Sequence, residues 1–203
     1  MQIIPILLKE MEQEAMTTRN MLARVPKDKY DWQPHTRSMT LKALAGHIAE
    51  LPGWVGYVLN SAELDFAKVP YTPPQFADSN ELMAFFEQTL AAGKADLEKA
   101  SEAQLEDMWT LRSGDQIFSH TTKLEFLRVT YCQIVHHRAQ LGVFLRLLDV
   151  PIPGSYGPSA DEQLLSHLIQ YPEACDFSCG FRDNLPETND KINQSNCWCT
   201  NSC

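Results

Sequence analysis

The first 162 residues contain one cysteine, Cys132. That scarcity excludes a disulfide-stapled framework for the body of the chain and fits a reduced, cytoplasmic setting. There is no run of basic residues, and 17 Lys and Arg stand against 26 Asp and Glu, a net charge of −9. Such a chain gains nothing from phosphate backbones, so nucleic acid is not an expected partner. No apolar run reaches the ~20 residues that cross a bilayer, so no membrane partner is expected either. The start, apolar only as far as Leu8, lacks the basic region and cleavage site of a signal peptide. Strand signals are few and no internal repeat occurs. The 203 residues, 44% hydrophobic, suffice for one well-buried domain or a domain with a tail.

Helical periodicity is what the chain has instead. In residues 124–148 the apolar positions Leu127, Tyr131, Ile134, Leu141, Leu145 and Leu148 recur at the three-and-four spacing of one helix face. The register asks for an apolar residue at 138 and finds Arg138. That side chain needs a carboxylate such as Glu50, or forms a salt bridge at the bundle end. Beside this seam runs a second line: Thr130, Gln133, His137, Gln140 and Phe144. Gln133 and His137 therefore project from the same side of the helix. His136 is turned roughly 100° from His137, so it can line a pocket but cannot simply replace Gln133.

Three more helices precede this one. Ile4, Leu7, Leu8, Met11, Ala15, Thr18, Leu22 and Val25 share a face of the first, which Pro26 stops. A polar connector follows, with Trp32 tucked against the bundle. Ser38 or Thr40 caps the second helix, whose inner face is Leu44, Ala45, His47, Ile48 and Leu51, with a kink or pause expected at Pro52. Residues 61–77, with three prolines, read as a loop crossing the bundle. Asp78 and Glu81 open the third helix, whose core residues include Phe85 and Phe86. Residues 108–119 read as a hairpin or an irregular loop. The proline- and glycine-rich segment 150–162 is expected to fold back on the bundle through Tyr156. His35, His120 and His167 fall in connectors and read as solvated. Four helices with one apolar face each make an all-α four-helix bundle over residues 1–162.

Residues 163–203 differ. They hold five cysteines, Cys175, Cys179, Cys197, Cys199 and Cys203, at a spacing that matches no common zinc module. The stretch is polar and Asn-rich, and is expected to be an irregular extension that can be deleted without unfolding the body.

Taken alone, His47 fits a core histidine bonded to a backbone carbonyl better than it fits a metal ligand. The motifs together say more. Residues 32–35 (WQPH), 44–50 (LAGHIAE), 136–141 (HHRAQL) with Leu145-Arg146, and 156–162 (YGPSADE) arrive in the order seen in the DinB-like family, which the chain resembles over residues 1–162. The resemblance implies an up-down-down-up four-helix bundle, commonly a homodimer and damage-inducible. It also implies a divalent metal, nickel or zinc, held by three histidines, one from the second helix and two from the last. Characterised relatives include thiol-dependent transferases and isomerases that use low-molecular-weight thiols. Carried over by position, the metal ligands are His47, Gln133 and His137. The glutamine departs from the pattern, because an amide oxygen is a weaker donor to such metals than an imidazole.

Two functions follow from this reading. One is a metal-dependent transferase or hydrolase acting on a small molecule, with a thiol as a partner. The other is a non-catalytic stress-response or binding protein whose metal site has degraded. The missing third histidine favours the second, and the retained HHRAQ and YGPSADE motifs favour the first.

Overall fold

The structure, a computed structural model, describes residues 2–162. The extension 163–203, with its cysteines and His167, lies outside the described residues. Four helices form the body: α1 (Ile4–Leu22), α2 (Leu41–Asn60), α3 (Ser79–Lys99) and α4 (Lys123–Leu147). α2 packs against α3 and α4, and α1 closes the ring by packing against the same two, so α1 and α2 sit on a diagonal. No helix among the described residues is long and apolar enough to cross a membrane.

The helix starts follow local chemistry. Thr40 caps α2 by accepting from the Ala43 amide at 3.2 Å. Asp78 caps α3 through the amides of Asn80 and Glu81, while Glu81 reaches back one residue further, to Ala77. Thr122 and Glu125 form a reciprocal capping box at the start of α4. Pro52 does not break α2, which is continuous through Asn60. The proline costs one backbone hydrogen bond, and α3 packs closely enough to hold the turn in place. The Thr89 hydroxyl donates to the Ala49 carbonyl at 2.5 Å, and a Cβ at Gly93 would collide with the Pro52 carbonyl.

Two readings of the connectors are corrected, those of residues 61–77 and of His120, while the hairpin reading of residues 108–119 holds. Residues 61–77 are not wholly loop, for β1 (Glu63–Asp65) pairs parallel with β2 (Met108–Ser113). Residues 108–122 form the hairpin, β2 running antiparallel to β3 (Gln116–Thr122), with Gly114 at positive φ in its turn. The buried Asp65 carboxylate joins the two parts by accepting from the amides of Ala67 and Gly114. His120 thus sits on a strand, paired with the Thr110 hydroxyl at 2.8 Å, rather than in a connector.

The core has two apolar clusters along the bundle. One gathers Leu22, Leu41, Leu44, Phe86, Leu141 and Leu145, with Phe85 partly buried against it. The other gathers Leu7, Leu51, Val55, Trp109, Leu127 and Tyr131. Burying side chains of this size contributes about 1.5–3 kcal/mol each before chain entropy is counted. Trp32 meets Phe144 edge-on at 5.6 Å.

Residues 150–162 fold back along α4 and are fixed by charge. Arg146 makes a two-pronged bond to Asp161 at 2.9 and 2.6 Å, and the same carboxylate accepts from the Ile152 amide. Tyr156 is 72% exposed, yet its hydroxyl contacts both Arg138 and Glu14. Arg138 is only 1% exposed, and its partner is Glu14 of α1, at 2.6 Å, rather than Glu50. Thr18 accepts a further bond from the same guanidinium.

Candidate functional site

The two apolar clusters meet where the histidines stand. On α2, His47 lies between Leu44 of one cluster and Leu51 of the other. On α4, His137 lies between Ile134 and Leu141 in the same way. Because α2 packs against α4, the inner-face register of each helix points one histidine at the other. Their ring centroids are 4.7 Å apart, with planes at 79°.

Each ring is fixed through Nδ1. His47 Nδ1 lies 2.6 Å from Glu50 Oε1, one turn along α2, and both side chains are largely buried. A carboxylate accepts only, so His47 donates from Nδ1 and leaves the Nε2 lone pair free. The Tyr71 hydroxyl donates to the same Glu50 oxygen at 2.8 Å. His137 Nδ1 lies 3.1 Å from Gln140 Oε1, and the Gln140 amide nitrogen lies 3.0 Å from His136 Nε2. With the amide so placed, His137 also donates from Nδ1, while His136 Nε2 is taken up as an acceptor. Burial holds the His137 pKa below the ordinary histidine value; the Gln140 bond opposes this, and the neighbouring His47 and His136 add to it. The shift favours the neutral imidazole, the form that ligation requires.

Both rings open onto a cavity of about 350 Å³ that Gln133 also lines. Its apolar walls come from Leu51 and Trp54 of α2, Phe126 and Val129 of α4, and Leu111 and Phe118 of the hairpin. The position match thus brings His47, Gln133 and His137 to one cavity. Among the described residues, no third histidine, cysteine, aspartate or glutamate joins the pair to make a three-ligand cluster.

The available donors are two imidazole Nε2 atoms and the amide of Gln133. Each imidazole is oriented from behind by a hydrogen bond to Nδ1, the arrangement typical of metal-binding histidines. The chemistry of this donor set suits a divalent ion, which it would hold more weakly than three imidazoles would.

Sequence reasoning missed several members of the site. Glu50 orients His47 rather than pairing with Arg138, and its position three residues after His47 on a helix was a readable signal. Tyr71 and the hairpin walls carried none, since tertiary packing alone brings them to the site.

A sequence profile of the DinB family matches residues 4–171, running past the boundary read at 162. No curated protein matches. The crystal structure of a DinB-like protein from Bacillus subtilis aligns with TM-score 0.58 and 18% identity, covering 73% of this chain and 96% of that one. A DinB-like protein from Bacillus cereus gives 0.57 and 18%, covering 74% and 95%. A mycothiol-dependent maleylpyruvate isomerase gives 0.50 and 12%, covering 68% and 60%. At these identities the likeness is one of fold.

Proposed function

The chain belongs to the DinB family, and from that premise we propose that it is a metal-dependent enzyme acting on a small molecule, through thiol-linked transfer or metal-assisted hydrolysis. His47 and His137 hold the ion, nickel or zinc, and Gln133 completes or borders the site. The observation that carries this reading is the pair of imidazoles meeting at 4.7 Å above a cavity, each held through Nδ1. When bound, the ion would supply Lewis acidity and lower the pKa of a ligand at its open position.

The protein's own part is positional. Glu50 keeps His47 in the Nδ1–H tautomer and fixes the orientation of its ring. Tyr71 holds Glu50 in turn, and Gln140 does the same service for His137. The hairpin and α2 walls limit water around the rings, which strengthens every charge interaction there. A low-molecular-weight thiol is the proposed co-substrate, in keeping with the mycothiol-dependent isomerase among the structural neighbours. A cytoplasmic homodimer is the proposed working form.

One observation favours a second reading. An amide stands where a third imidazole would complete the ligand set, on an exposed position of α4. On that reading the protein is a non-catalytic binding protein whose metal site has degraded. Metal analysis of untagged protein separates the two. The enzyme reading expects nickel or zinc near one ion per chain, lost in His47→Ala. Absence of both metals from wild type, after growth with each supplied, would support the second reading.

A further inference from the structure

The cavity beneath the histidines has walls of a definite chemistry. Leu51, Trp54, Phe126 and Phe118 make a largely aromatic surface, and the apolar lining continues outward at Val129 and Phe118, which are 45% and 52% exposed. The polar groups that share it are Ser119, Thr130, Gln133 and the rings of His47 and His137, with no lysine or arginine among them. The Thr130 hydroxyl is already committed to the Phe126 carbonyl at 3.1 Å.

Among the described residues, no lysine or arginine lines the cavity. Each lysine and arginine on α2, β2, β3 and α4 is engaged elsewhere among the described residues. The Lys42 ammonium sits over the rings of Tyr30 and Phe76. Arg112 is beside Asp65 and Glu63. Lys123 donates to the Leu59 carbonyl. Arg128 pairs with Glu10, Arg138 with Glu14 and Arg146 with Asp161. The chain as a whole is acidic. A carboxylate laid against these walls would lose its hydration and gain no counter-charge.

We propose that the cavity selects a ligand whose body is neutral and aromatic, and that its walls reject carboxylates. An anionic group would be accommodated only at the His47–His137 edge, through a bound cation. The inference rests on the proposed function in taking this cavity as the ligand site. Flat apolar rings suit the walls, because Trp54, Phe118 and Phe126 offer faces and edges for stacking. The volume is at the small end of ordinary ligand pockets, enough for one compact molecule.

The test compares two probes of one shape, 2-naphthol and 2-naphthoate. Each is titrated by calorimetry at pH 7 into the full chain dialysed against EDTA, so that no metal can coordinate the carboxylate. Naphthol should bind at least about tenfold more tightly than naphthoate. The ¹⁵N resonances of the His47 and His137 rings should move as it binds. Val129→Lys, a change at an exposed helix position, brings an ammonium to the mouth. It should shift the ratio of the two affinities about tenfold towards naphthoate, whatever it does to each alone. Equal or tighter binding of naphthoate to wild type would overturn the proposal, as would no binding of either probe or unmoved histidine resonances. Nickel and zinc titrations without probes report on the metal separately. Naphthol selectivity with no metal binding would sink the proposed function and leave this inference standing.

Discussion

The Glu50 carboxylate lies 2.6 Å from Nδ1 of His47, on the same oxygen that accepts from the Tyr71 hydroxyl. The pair stands behind the ring, and the Nε2 edge is left to the cavity. Glu50→Gln keeps the shape but removes the charge that favours the Nδ1–H tautomer. Nickel or zinc affinity should fall by about 10–100-fold, read by calorimetry, with the helical circular dichroism signal unchanged. Unaltered affinity would show that the carboxylate does not act through His47.

Arg138 gives a prediction about stability. Its guanidinium is buried against Glu14, Thr18 and Tyr156. Glu14→Ala leaves that charge uncompensated and should cost about 3–5 kcal/mol in denaturant unfolding. Arg138→Met removes the buried charge itself, and Glu14, nearer the surface, can rehydrate. The methionine variant should be the more stable of the two. The reverse order would mean that packing of the long arginine stem, rather than charge pairing, dominates this site.

The fold-back segment carries a pH dependence. Hydrogen bonds from Arg146 and the Ile152 amide lower the Asp161 pKa to about 2 from an ordinary value of 3.8. A carboxylate with a depressed folded pKa contributes stability that is present above its unfolded value and lost as pH falls through the folded one. The Ile152 amide resonance should therefore shift as the segment loosens between about pH 4 and pH 2. Asp161→Asn should show the loosened position already at pH 7. A resonance that stays constant over this range in wild type would mean that Asp161 does not hold the segment.

Much of this was legible in the sequence, for physical reasons. The α4 face through Leu127, Tyr131, Ile134, Leu141 and Leu145 is buried as its period requires. A bundle forces inner faces together, so His47 and His137 had to approach once both lay on them. The partner of Arg138 was not legible. Glu14 belongs to α1, distant in sequence, and every acidic residue near an apolar face was an equal candidate. β1 was hidden for a related reason. Its three residues, Glu63, Leu64 and Asp65, are too few to establish a strand period, and it exists because β2 offers an edge to pair with. Gln133 lines the cavity beside His137, four residues further along the same helix. Its ligand strength is a question of chemistry that position alone does not answer.

That question has a direct measurement. Wild type, Gln133→His, and Gln133→His combined with His47→Ala are titrated with nickel and zinc by calorimetry. Positions 133 and 137 face the same way on an unbroken α4, so a new imidazole needs no backbone movement. Wild type should bind one ion, and Gln133→His should tighten it by about tenfold or more, by analogy with the ~10–100-fold set by outer-shell partners alone. The double variant should lose the gain, because both remaining imidazoles then come from one helix. If Gln133→His binds no more tightly than wild type, or the His47→Ala change leaves its affinity intact, the cavity between α2 and α4 is not a metal site.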